Sequence, residues 1–294
     1  MTPEIQECFE KAGMVAKEAR SFAVSLVKPG VLLSEVADNV EKKIEELGGK
    51  LAFPMQISRN NIAAHYCPTY EEEVFFEKND LVKVDIGVHI NGYIADTAQS
   101  IDLGGNEKLL KASEEALNNA IKLVKPGVQV REIGRTIQET IESHGFKPVR
   151  NLCGHGIGRF IVHKSPSIPN FDNGDTTVLE EGMSIAIEPF ASSGAGLIKE
   201  EGKPTIFALI DKKPVRGLFT RKILNEILKF DNLPFAYRWL EKKFKKAELA
   251  FAFRELKQLG ILREHPPLPD VNNGLVSQRE HTMLVLDKTI VTTK

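Results

Sequence analysis

The hexapeptide Leu26-Val27-Lys28-Pro29-Gly30-Val31 recurs unchanged as Leu123-Val124-Lys125-Pro126-Gly127-Val128, 97 positions further along the chain. The register extends to both sides. Glu18 and Ala19 map onto Glu115 and Ala116, and Glu35, Ile44 and Gly48 map onto Glu132, Ile141 and Gly145. A chain that carries the same unit twice folds as two similar halves, each burying its apolar face with the help of the other. Each copy reads as a helix running up to the Pro-Gly turn and then a second amphipathic helix, Val31, Val36, Val40, Ile44 and Leu47 in one and Val128, Ile133, Ile137 and Ile141 in the other. Gly48 and Gly145 are placed to close those helices.

After each helical pair the periodicity changes from helical to alternating. Leu81 to Gly87 and Met183 to Glu188 both read as strands, and each brings a carboxylate, Asp85 or Glu188, to its end. The architecture predicted is α+β: two pseudo-symmetric halves around a common cleft, with a mostly antiparallel sheet covered by helices on one side. Residues 203–270 break the pattern with helical stretches, Arg221 to Phe230 and Tyr237 to Leu262, that have no counterpart in the first half. They read as an inserted helical subdomain, bounded by Pro204 and by the cluster Pro266, Pro267 and Pro269. Residues 1–202 and 271–294 are then one domain, whose strand pattern resumes at Leu275, runs through Glu280 to Leu286 and ends in a short strand near Ile290.

Composition removes several classes of function. A net charge of -1 and a pI near 6.7 do not describe a surface built throughout for nucleic acid or anionic membrane. Cys8, Cys67 and Cys153 are odd in number, far apart and free of any CxxC pair, which excludes a disulfide framework or zinc ribbon and fits a reducing cytoplasm. No apolar run is long enough to span a bilayer, and Met1 leads directly into the charged stretch of Glu4, Glu7, Glu10 and Lys11. A cytoplasmic location is expected.

Asn91-Gly92 between two alternating segments signals a tight hairpin, because a type I' turn requires positive φ at both central positions. With Ile90 opposite Tyr93, Gly87 lies opposite Asp96 and Asp85 opposite Ala98, so the two aspartates share a sheet face as diagonal neighbours roughly 7 to 8 Å apart. Two carboxylates on one face repel unless a cation or a shared proton lies between them; the alternative is that one of them simply faces water. His155 stands in Gly154-His155-Gly156-Ile157-Gly158, where small neighbours leave its imidazole accessible, although a lone histidine among glycines is also an ordinary surface residue. The glycines do not make a dinucleotide loop, since no GxGxxG helix follows. Glu188 shares a strand face with Ser184 and Ala186, and Glu280 opens the last long strand in Gln278-Arg279-Glu280-His281-Thr282.

In combination these motifs are specific. GHGIG, AIEPF, EHT and Ala63-Ala64-His65-Tyr66, in this order and spacing, resemble the methionine aminopeptidases of the pita-bread fold, and the resemblance covers essentially the whole chain. Leu233 to Leu240 looks like the winged-helix-like insertion of the type 2 enzymes, and the absence of a basic N-terminal extension resembles the archaeal ones. The resemblance implies a metallo-exopeptidase, a hydrolase that removes N-terminal methionine from nascent polypeptides and prefers a small second residue. It implies two divalent metal ions (Co, Mn, Fe or Zn), with Asp85 on one, Asp96 and Glu280 bridging, and His155 and Glu188 completing the other. Such an oxygen-rich donor set suits Mn, Fe or Co at least as well as zinc, and a water shared by two metals becomes a nucleophile near neutral pH.

The resemblance also makes Glu188 the proton shuttle, His65 and His163 the histidines that contact the scissile amide, and Phe53, Val162 and Phe190 the methionine pocket. His89 and His281 read as structural. Arg279 stands where a phenylalanine is usual, Cys67 where a threonine is, and His265 where a tyrosine often rims the pocket. Two rivals use the same fold: a noncatalytic binding protein of ribosomes or RNA, which would have lost metal ligands, and an Xaa-Pro peptidase, which would carry a further N-terminal domain. A monomer with no membrane contact is expected. The insertion is basic through Lys212, Lys213, Arg216, Arg221, Lys222, Lys242, Lys243, Lys245 and Lys246, which offers a surface for ribosomal RNA.

Overall fold

The computed structural model describes residues 1–70 and 72–294. The first half opens with helices α1 (Pro3–Leu26) and α2 (Leu33–Glu46), followed by strands β1 (Lys50–Leu51), β2 (Gln56–Arg59), β3 (Leu81–Ile90) and β4 (Tyr93–Asp102). The second half repeats the plan with α3 (Glu107–Leu123), α4 (Val130–Ser143), β5 (Lys147–Pro148), β6 (Cys153–Gly158), β7 (Ile161–Pro169), β8 (Ser184–Ile187) and β9 (Phe190–Ser192). Helices α2 and α4 keep the 97-residue displacement from first residue to last. Gly30 and Gly127 turn the chain between the paired helices at φ 86° and 87°, values open to glycine at no steric cost.

The duplication continues into the strands after a six-residue length difference. Gly30 N and Leu33 N donate to Phe76 O and Val74 O, and Gly127 N and Val130 N donate in the same way to Leu179 O and Thr177 O. The left-handed turn at Asn79, φ 74°, then matches Gly182, φ 85°, at the entrances to β3 and β8. On that displacement, Phe76 to Leu179 and Asn79 to Gly182, Asp85 falls on Glu188.

Every strand pairing is antiparallel. Alternation divides each sheet into a helix-covered face and a cleft face. Val82, Val84, Ile86 and Val88 of β3 pack with Ala12, Ala16, Ala19 and Ala23 of α1 and Val36, Val40 and Ile44 of α2. Alanine at four successive turns lets α1 lie close to the sheet. Ile185 and Ile187 of β8 pack with Leu117 of α3 and Ile133, Ile137 and Ile141 of α4. The opposite faces, with Asp85, Gly87, Ala186 and Glu188, look into the cleft between the halves, which is the predicted pita-bread architecture.

Residues 203–270 carry the helices read from the sequence together with short strands. They contain a three-stranded sheet, β11-β10-β12, made of β10 (Ile206–Leu209), β11 (Phe235–Ala236) and β12 (Leu262–His265). Helices α5 (Leu218–Ile227), α6 (Tyr237–Glu241) and α7 (Lys246–Gln258) pack on it around Phe207, Ile223, Phe235, Leu249, Phe253 and Leu256. Tyr237 to Leu262 is therefore two helices and the start of a strand. Strands of two to four residues are too short to carry a readable period.

The last strand also differs. Leu275 to Leu286 is broken at Arg279-Glu280, so that β13 (Val276–Gln278) pairs with β9 while β14 (His281–Leu284) pairs with β8. The chain closes with β15 (Ile290–Val291). At the break, Glu280 N donates to Ala98 O of β4 at 3.0 Å, which anchors the glutamate to the hairpin of the first half.

A buried ion-pair cluster joins the insertion to the first half. Arg238 of α6 is 2% exposed and pairs with Asp38 and Glu41 of α2, and Trp239 Nε1 donates to Glu41 Oε2 at 2.9 Å. Removing one partner of such a buried pair leaves an uncompensated charge, at a cost of about 3–5 kcal/mol. Arg238→Ala is expected to lower Tm by about 6–15 °C in a thermal melt; a loss below about 2 °C would show that the cluster contributes little.

Candidate metal centre and active site

The hairpin has the register read from Asn91-Gly92: Ile90 pairs with Tyr93, Gly87 with Asp96 and Asp85 with Ala98. Asp85 and Asp96 therefore lie on the cleft face of β3 and β4. Against them the second half brings His155, which pairs with Ala186 of β8 across the sheet, and Glu188 at the end of that strand. His155 sits in a strand rather than a loop. Gly154 and Gly156 are needed there because a Cβ would come within 2.3 Å of Ala186 O and 2.4 Å of Ser165 O respectively. Glu280 arrives from the break between β13 and β14.

The five side chains converge. His155 Nε2 lies 3.7 Å from Asp96 Oδ2 and 3.6 Å from Glu188 Oε1. Ligand atoms of Asp96, His155 and Glu280 all lie within 4.8 Å of one another. Asp85 Oδ1, Asp96 Oδ1 and Glu280 Oε2 are buried with no hydrogen-bond partner among the described residues. Burial alone pushes the Asp85 carboxyl up to about 7. Asp96, Glu188 and Glu280 are held well above the usual carboxylate range by burial first and then by the charges of their acidic neighbours. Unpaired buried charge of this density is costly. Orphaned oxygens turned on one another beside an imidazole are the donor set of a divalent cation site, so the residues fit the metals implied by the sequence.

The centre lines a cavity of ≈ 250 Å³. All ten residues singled out in the sequence line it: Asp85, Asp96, His155, Glu188 and Glu280, then His65 and His163, then Phe53, Val162 and Phe190. His65 takes a left-handed backbone, φ 67°, fixed by Gln56 Oε1, which accepts its N–H at 2.6 Å. The His163 ring meets that of His155 edge-on, with centroids 4.4 Å apart. Burial, ahead of neighbouring histidine charge, lowers His65 and His155 to about 3, and burial also lowers His163, so all three are neutral imidazoles at pH 7.

Sequence reasoning missed Gln56, Asn151, Leu152, Ile206 and Pro234 in the cavity wall. Ile206 and Pro234 come from the inserted segment, as does His265, whose ring stands edge-on to His65 at 5.5 Å. Only the pairing of Gln56 with Asp85 across β2 and β3 could have pointed to the first, and that register has no hairpin signal.

Phe53 packs over Gly87, where a Cβ would meet Phe53 Cε1 at 2.2 Å. The glycine opposite Asp96 thus makes room for an aromatic ring beside the carboxylates. Gly87→Ala should displace that ring at a cost of about 1–3 kcal/mol, raising KM for a methionyl peptide about tenfold while the far-ultraviolet circular dichroism stays unchanged. An unaltered KM would remove Phe53 from the pocket.

Comparisons with known proteins agree with this site. Residues 7–226 match metallopeptidase family M24. A methionine aminopeptidase of Archaeoglobus fulgidus is 45% identical over 288 residues, 98% of this chain and 97% of that protein. Among solved structures, a methionine aminopeptidase of Thermotoga maritima superposes with a TM-score of 0.73 at 25% identity, covering 100% of this chain and 98% of its own. A thermophilic Arx1 superposes with a TM-score of 0.87, covering 99% of this chain and 91% of its own, but at 16% identity it shows the shared fold alone. The two-half fold, the convergent acids and the near full-length identity to archaeal relatives together place this chain in the methionine aminopeptidases of metallopeptidase family M24.

Proposed function

We propose that the chain removes N-terminal methionine from polypeptides with a small second residue, using two divalent ions, Mn, Fe, Co or Zn, held by Asp85, Asp96, His155, Glu188 and Glu280. The observation that carries this reading is the convergence of four carboxylates and one imidazole in a cavity also lined by Phe53, Val162 and Phe190. Metal ions bound there would acidify water and polarise the scissile carbonyl.

The protein's own groups do the remaining work. Asp96 and Glu280, hydrogen-bonded through their backbones to opposite strands, hold the two halves of the site in register. Glu188 takes a proton from the attacking water and delivers it to the leaving amine. Neutral His65 and His163 bind the first peptide bond without adding charge to a cationic centre, one ring N–H donating to the carbonyl oxygen and one bare ring nitrogen accepting from the amide N–H. The apolar wall takes the methionine side chain and excludes water from the reacting atoms. A cavity of this size takes one methionine side chain, which fits cleavage at the first residue.

Supplied with Mn or Co, the protein is expected to release methionine from Met-Gly and Met-Ala peptides and to leave Xaa-Pro dipeptides intact. Cleavage confined to the prolyl substrates would overturn the assignment. The cytosol, where nascent chains emerge, fits this activity, and no helix among the described residues is long and apolar enough to cross a membrane. Ribosome contact through the basic insertion draws less support, because Lys242 pairs with Asp38 and Lys243 with Glu226 within the protein itself.

A further inference from the structure

A second cavity, of ≈ 270 Å³, lies between α1 and α3. Its wall carries Arg20, Arg279, Lys294 and His281, with Glu114 as its acid. Arg20 is 6% exposed; its Nη1 donates to Thr97 Oγ1 and lies 3.4 Å from His281 Nδ1, while its Nε has no hydrogen-bond partner among the described residues. The ion pair of Arg279 is a long one, 3.7 Å to Glu114, whose side chain is 50% exposed and free to turn into water. His281 Nδ1 lies 2.8 Å from Thr293 Oγ1 as well, which makes Nδ1 the acceptor and leaves Nε2 with the proton. Arg20 and Arg279 are close enough that the second charge, added to burial, lowers the first to about 10.

Two buried or half-buried guanidinium groups and a lysine line this cavity beside one half-exposed acid, Glu114, while Glu280 balances Arg20 from the metal centre, so the lining itself carries more positive than negative charge. Guanidinium forks match the edge of a tetrahedral oxyanion, and charge-assisted hydrogen bonds of this kind are the strong ones. We propose that this cavity binds a phosphate group, free or carried by a small phosphomonoester, with the Arg279 guanidinium as its principal donor and Arg20 supplying charge from the wall. Arg20 also reaches the metal centre, both through the charge of Glu280 and through hydrogen bonds: its Nη1 donates to Thr97 Oγ1, and Thr97 Oγ1 donates to the backbone carbonyl of Glu280 at 2.9 Å. The anion would therefore brace the break in the strand from which Glu280 projects.

The test is thermal melting of the metal-loaded protein in potassium phosphate, glycerol phosphate or malonate, each compared with potassium chloride at equal ionic strength. Phosphate or the monoester at a hundred times its Kd is expected to raise Tm by about 5 °C. A shift from the inorganic ion alone identifies free phosphate as the ligand, and a tenfold tighter effect of the monoester identifies a phosphorylated small molecule. Arg279→Phe and, should that chain melt early, Arg279→Gln are expected to lose the shift. Phosphate held on the metal ions would instead survive both substitutions, because neither replaces any of the five metal-facing residues. No shift over chloride, a shift retained in the variants, or an equal shift from malonate would each overturn the proposal.

Discussion

Glu280→Gln is expected to reduce methionine release from a Met-Gly peptide by about a thousandfold, roughly 4 kcal/mol of transition-state stabilisation. The substitution keeps the shape of the side chain and its backbone hydrogen bond to Ala98, but removes one of the charges that would face both metals. In the chelated protein the same change should act in the opposite sense. Glu280 is buried against Asp96, Glu188 and Asp85, so neutralising it relieves repulsion, and the metal-free variant should melt higher than the metal-free parent at pH 8. Activity measured with metal in excess, beside paired melts with a chelator, separates the two effects. A variant that retains activity within tenfold would show that Glu280 is not a ligand.

Metal removal should cost the parent protein a large share of its stability, and the cost should grow with pH. Without metal, Asp85 is raised from 3.8 to about 7, and Asp96, Glu188 and Glu280 are raised as well. A carboxyl whose pKa is higher in the folded state binds its proton more tightly there. Its stabilising contribution is complete below the unfolded value near pH 4 and is lost as pH rises through 7 and beyond. Metal binding has the opposite dependence, since ligands must give up their protons. The gap in Tm between loaded and chelated protein should therefore widen from pH 5 to pH 8. With metal at a thousand times its Kd it should reach about 8–16 °C. A gap that is constant or narrows as pH rises would mean that the four acids do not form one site.

The parts of this site legible in the sequence were those governed by local rules. Asn91-Gly92 fixed the register of β3 and β4, and with it the shared face of Asp85 and Asp96. Alternation through Ser184, Ala186 and Glu188 placed that glutamate on the cleft side, and the repeated Pro-Gly turns gave the pairing of the halves. Other features depend on contacts between distant segments. The strand at His155 is built from glycines whose own preferences oppose it, and it forms because β7 and β8 flank it and leave no room for a Cβ. The break at Arg279-Glu280 is set by two different neighbours, β9 on one side and β8 on the other. The small sheet of the insertion, and the reach of Ile206 and Pro234 into the cavity, follow from packing that no short-range pattern announces.

That reach has a consequence for timing. A peptide bond at the acids shares its cavity with Ile206, Pro234 and His265, so a substrate should present an extended end with nothing bulky close behind it. A polypeptide whose first residues are already tucked into its own fold offers no such end. Processing and folding of the substrate then compete for the same few residues, and the outcome for each protein depends on which comes first.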